Sequence, residues 1–154
     1  MTKKDFIDPT TFLAKPKHFN NLLQLLSIHT LPEYIIEKVW YLVTILPVNE
    51  KLFSKLVNIK NEFRDAYDAD SDTTALWADL IDSKSVYKLL YIVRILDDIC
   101  NNRGTPENFD RDHWQIQFVT YGGVNRLITI LLQMDLSTLS AKSLHKECFS
   151  VIMR

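Results

Sequence analysis

Apolar residues recur along most of this chain at intervals of three and four, the spacing that lines one face of an α-helix. From about Lys17 to Ile28, Phe19, Leu22, Leu23, Leu25, Leu26 and Ile28 form a broad apolar face. Thr30-Leu31-Pro32-Glu33 then has the form of a capping box, with the Thr hydroxyl taking a first-turn amide and Glu33 reaching back. Pro32 costs nothing in a first turn, where amides have no intrahelical acceptor. Ile35, Ile36, Val39, Trp40, Val43 and Leu46 make the next stripe, and Pro47 stops it. A third helix, about Glu50 to Ile59, carries Leu52, Phe53, Leu56 and Val57.

Between residues 61 and 74 the apolar density falls and the charge turns acidic, which predicts mostly loop. Asp72 is placed to cap a short helix with Leu76, Trp77, Leu80 and Ile81. Ser83 or Ser85 opens the most regular helix, whose stripe is Val86, Leu89, Leu90, Val93, Leu96, Ile99 and Cys100. Residues 101–112, with Gly104 and Pro106, read as a second loop. A helix from His113 to Tyr121 turns Trp114, Phe118 and Val119 inward and ends at Gly122-Gly123. Val124 begins the next, with Leu127, Ile128, Leu131 and Leu132. Ser137 caps the last, with Ala141, Leu144, Cys148, Val151 and Ile152. No stop signal follows that stripe before Arg154, which reads as a segment excised from a larger protein.

Two helix pairs look alike at a constant offset of 105 residues. Phe19-Asn20-Asn21-Leu22-Leu23 matches Val124-Asn125-Arg126-Leu127-Ile128, and Ile36, Val39, Val43 and Leu46 fall on Ala141, Leu144, Cys148 and Val151. Armadillo and HEAT units run to about 40–47 residues, so the offset spans roughly two and a half of them. The expected fold is all-α: a single helical-repeat domain over 1–154, an armadillo- or HEAT-like α-solenoid fragment of about seven or eight helices. A solenoid offers a long concave face to other proteins rather than one deep pocket.

Composition sharpens this picture. The 154 residues include only three glycines, against roughly ten at an average usage of about 7 %, which leaves little material for hairpin turns. Eighteen basic and nineteen acidic residues are interspersed, for a net charge of −1, so the electrostatic footprint of a nucleic-acid binder is missing. Lys3, Lys4, Lys15 and Lys17 read as a solvated helix entry. Charged residues interrupt every apolar stretch before membrane-spanning length, and no secretory signal follows Met1. Cys100 and Cys148 sit in apolar stripes with no disulfide framework, which implies a reducing, cytoplasmic setting.

Chemistry-bearing motifs are few. Asp68-Ala69-Asp70-Ser71-Asp72 spaces three carboxylates like the first half of a calcium loop, but Thr73 replaces the required glycine and Asp79 the closing bidentate Glu. His18, His29, His113 and His145 lie in separate elements without metal-ligand spacing. Neither cysteine has the context of an activated thiolate. Asp97 and Asp98 are adjacent, so on a helix they diverge by about 100°. Trp40, Trp77 and Trp114 fall on or near helical stripes and read as core, though one could line a peptide groove. No catalytic, cofactor-binding or metal residue is expected.

Three segments resemble a known family. Trp114 to Val124, followed by Leu127 and Leu131, is similar to the "W…F…GG…L" turn of the helical region in the very large ubiquitin-specific proteases of fat facets type. Val39-Trp40-Tyr41-Leu42 running into Leu46-Pro47-Val48-Asn49 resembles that region's "W…LLP-T-N" helix end, with Val48 where the family often has Thr. Tyr87-Lys88-Leu89-Leu90-Tyr91 resembles its "Y-x-L-L-Y" helix start, and the three come in the family's order. The resemblance implies a parent deubiquitinating cysteine protease whose Cys box and His box lie outside this segment. It implies a non-catalytic scaffold that engages substrate or adaptor proteins or positions the catalytic domain. The alternatives from the residues alone are an armadillo-type adaptor unrelated to ubiquitin and a stand-alone thiol enzyme using Cys100 or Cys148.

Overall fold

A computed structural model of the chain describes residues 8–28, 30–68, 73–134 and 143–154, and among these it contains ten α-helices and no strand. They are α1 (Pro9–Leu13), α2 (Pro16–Leu25), α3 (Glu33–Ile45), α4 (Glu50–Val57) and α5 (Ile59–Asp68), followed by α6 (Thr74–Leu80), α7 (Val86–Cys100), α8 (Arg111–Thr120), α9 (Gly123–Gln133) and α10 (Ser143–Ile152). The all-α expectation holds, with more helices than the seven or eight that the pattern predicts. Contacts group the chain into two compact units, Met1–Phe53 and Ser54–Arg154.

In the first unit α2 packs on α1 and α3. Phe19, Leu23 and Leu26 from α2 and its exit are buried, as are Val43 and Leu46 from α3 and its exit. The short α1 has no counterpart in the sequence reading, and its cap is the Asp8 carboxylate, which accepts from the Thr10 and Thr11 amides. The Thr30 capping box does not form. Pro32 occupies the cap position with no side-chain hydrogen bond and α3 starts at Glu33. The proline itself explains this, because it disfavours helical dihedrals at Leu31, the residue that a Thr30 cap would need in the first turn. Asn49, which is buried, caps α4 by accepting from the Leu52 amide at 3.1 Å.

In the second unit the hub is α7. Leu89 to Val93, Ile95, Leu96 and Ile99 are all buried, more than the one-sided stripe that the spacing implies. A helix apolar on most sides must be surrounded, and α10 and α8 both pack on α7. Ser85 caps it through the Lys88 amide, as expected. At the other end Arg103 donates to Asp98 at 2.6 Å and to Asp97 at 2.5 Å, so one guanidinium spans two carboxylates that diverge along the helix.

The predicted loop over 61–74 is instead largely helical, since α5 runs through Asp68. Ile59 and Phe63 are buried while Lys60, Glu62, Arg64 and Asp65 face solvent. Two large apolar residues at i and i+4 suffice to seat a short helix, whatever the overall apolar density. The third helix of the sequence reading ends earlier, at Val57, and Asn58 separates it from α5. The loop expected to reach 112 closes at Asp110, whose carboxylate caps α8 through the His113 amide at 3.0 Å. The expected caps Asp72 and Ser137 lie outside the described residues.

The Gly-Gly turn forms as predicted. Gly122 has φ 87°, a left-handed conformation that costs glycine little, and Gly123 opens α9. The 105-residue register is not the register of burial in the first helix pair. Phe19, Leu23 and Leu26 are buried, but their partners at that offset include the exposed Ile128. Gly123 and Ile130 are buried and Leu127 half-buried, which is an offset of 104. Val43 and Cys148, by contrast, are both buried at 105. The two helix pairs therefore differ by a one-residue slip.

A Cβ on Gly123 would sit inside contact distance of the Phe118 ring, which is itself held against Trp114. Gly123→Ala is expected to lower unfolding free energy by about 1–3 kcal/mol, as overpacking does, read by urea denaturation.

Candidate functional site

Five aromatic residues of the second unit form a continuous series. Phe63 stacks on Trp77 at 4.3 Å, Trp77 meets Phe118 edge-on at 5.4 Å, and Phe118 stacks on Trp114 at 5.2 Å. Phe109 approaches Trp114 at 6.4 Å with its ring tilted by 51°. Both indole N–H groups are satisfied by main-chain carbonyls: Trp77 donates to Tyr121 O at 2.6 Å and Trp114 to Leu56 O at 2.8 Å. A buried Trp needs such a partner. Trp77 and Trp114 are thus core residues and ties between helices, whereas Trp40 is only half-buried.

The cysteines are poor nucleophiles where they sit. Cys148 is fully buried on α10, and burial pushes its thiol up to about 12. Burial also raises the half-buried Cys100, with the Asp97 carboxylate adding to the effect. A nucleophilic thiol needs the opposite shift, toward the thiolate. Among the described residues no three His, Cys, Asp or Glu side chains converge as a metal set. The acidic segment 68–72, whose spacing falls short of a calcium loop, lies mostly outside the described residues, as does His29. His18 stacks on Phe12 at 4.2 Å in the first unit.

His113 has polar company. Its Nε2 lies 2.8 Å from Nε2 of Gln117, one turn on, so the ring nitrogen accepts from the amide. Both residues line an open depression of about 270 Å³ in the second unit. Asn58 from the α4–α5 junction, Pro106, Asn108 and Phe109 from the loop, and one edge of Trp114 complete it. The sequence reading missed this site. Its components are 59 residues apart in the chain (Asn58 to Gln117), and no pattern links them, although Trp114 and Gln117 lie in the segment that resembles the family turn.

Large apolar side chains are also exposed. On α3, Tyr34, Tyr41 and Ile45 are 64 %, 65 % and 53 % accessible. Spacings of seven and eleven residues put all three within about 40° of one another around the helix. On α8 and α9, Ile116, Val119, Ile128 and Leu132 are exposed. Among the described residues no helix is long and apolar enough to cross a membrane.

Alkylation of the native chain at pH 8 is expected to leave Cys148 intact, since about 10⁻⁴ of it is thiolate there. Cys100 should react faster than Cys148 and more slowly than an unfolded control, with peptide mass spectrometry as the readout.

Comparison with family models, with curated proteins and with solved structures finds no match.

Proposed function

We propose that this chain is a non-catalytic protein-interaction scaffold, one armadillo- or HEAT-like segment of a large, cytoplasmic deubiquitinating cysteine protease. The observation that carries the interaction role is the α3 stripe of Tyr34, Tyr41 and Ile45. Exposed aromatic and aliphatic groups aligned on one helix face are the material of protein interfaces, where tyrosine supplies much of the binding energy. The upward-shifted thiols of Cys100 and Cys148 weigh against the alternative of a stand-alone thiol enzyme. The ubiquitin link rests on the ordered motifs from Val39 to Val124. The residues of those motifs do structural work: Asn49 caps a helix, Trp114 and Phe118 stack, and the glycines turn the chain.

A photo-crosslinking amino acid at position 41 of the full chain in cells is expected to capture a discrete partner protein. Tyr34→Ala together with Ile45→Ser should reduce capture at least fivefold without shifting the melting temperature by more than about 2 °C, as expected of exposed sites. No crosslink, or capture indifferent to both substitutions, would remove the interaction role. Peptide mass spectrometry of the native polypeptide decides the family: a Cys box and a His box in the same chain support the protease scaffold. Their absence leaves an adaptor unrelated to ubiquitin.

A further inference from the structure

The depression bounded by the α4–α5 junction, the loop before α8 and the first turns of α8 has a composition that selects its ligand. We propose that it docks an extended, uncharged peptide segment carrying a proline or aliphatic side chain. This deepens the scaffold reading above and rests on it.

Charge excludes most alternatives. No Lys or Arg lines the depression, so it offers a phosphate or an acidic peptide no permanent cation. Its one carboxylate, Asp110, is turned to the His113 amide at 3.0 Å. What remains around the rim is three side-chain amides with unused capacity. Asn58 donates through Nδ2 to Ser54 O at 3.0 Å, leaving its side-chain carbonyl. Gln117 spends Nε2 on His113, leaving its own carbonyl. Asn108 makes no hydrogen bond among the described residues, leaving both donor and acceptor. A side-chain amide presents the same donor and acceptor pair as a peptide unit, and an extended main chain is the ligand that offers both repeatedly.

Shape and floor narrow it further. At about 270 Å³ and open to solvent, the depression falls short of the roughly 300–1,000 Å³ that encloses a small molecule. It suits a chain that crosses it and leaves one side chain behind. Phe109, Val57 and Pro106 offer that side chain an apolar floor. Of the two aromatic rings there, Trp114 is only 3 % exposed and stacked on Phe118, which leaves Phe109 as the accessible face.

The test uses the full chain and a pool of capped, uncharged nonapeptides with Pro, Val or Leu at the centre in a Ser/Gln/Gly background. Titration followed by NMR is expected to move the side-chain amide signals of Asn58, Asn108 and Gln117 saturably. Asn108→Ala and Gln117→Ala should each weaken binding at least fivefold while leaving the melting temperature unchanged. A pool with Glu at the centre should bind at least fivefold more weakly. Absence of saturable shifts, unaltered binding by both variants, or the same amides responding to a neutral oligosaccharide and not to peptide would each overturn the proposal. Because α3 lies outside this depression, crosslinking at position 41 can succeed while the peptide titration fails, so the two readings fail separately.

Discussion

The carbonyl of Tyr121 receives the Trp77 indole N–H at 2.6 Å and the Thr73 hydroxyl at 3.3 Å, and the second unit is organised around this meeting. It is possible only because the next residue is glycine. Gly122 adopts φ 87°, a left-handed conformation that L side chains rarely take, whereas a Cβ there would meet the Thr73 hydroxyl and the Trp77 ring only at ordinary contact distance. Gly123 then lets the Phe118 ring lie against the start of α9, where any Cβ would collide with it. One turn thus joins α6, α8 and α9. On the far side of α6, Arg126 donates to the Ile81 carbonyl from Nε at 3.3 Å and from its terminal nitrogen at 2.9 Å, satisfying a group at the end of that helix.

Thr73 shows how such a meeting outranks local preference. It stands at the position that normally caps a helix, yet its hydroxyl makes no cap bond and goes to Tyr121 instead. The Trp114 indole acts similarly, reaching the Leu56 carbonyl at the end of α4. These long-range bonds fix the wall from which Asn58 and Gln117 project. The rigidity of the aromatic series and the openness of the amide-rimmed depression are therefore two faces of one arrangement: a buried framework, with adaptable polar groups left at its edge.

The slip between an offset of 105 in apolar spelling and 104 in burial has a plain cause. Both α2 and α9 carry apolar residues over more than a third of their circumference, so two adjacent registers place comparable residues inward. Gly123 decides the matter in α9. It lets Phe118 pack where a larger residue would hold the helix away, and this turns Ile130 rather than Leu131 fully into the core. The same reasoning explains Ile128, which is apolar in sequence and exposed in the structure.

By itself the sequence determined that the chain is helical, because few glycines and a period of three to four residues leave little else for it to form. It also determined the Gly-Gly turn, a serine cap at 83 or 85 that the structure places at Ser85, and the apolar stripe that buries Cys148, each set by a residue type acting over a few positions. Only the tertiary structure decided that residues 59–68 are helical, since two seated side chains there outweigh a charged composition. Tertiary packing likewise decided which sides of α7 are covered and that Asn58, Asn108 and Gln117 share one rim. The physical reason is the same throughout. Periodicity and capping are local properties written in neighbouring residues, whereas burial and the convergence of side chains depend on which distant helix arrives opposite.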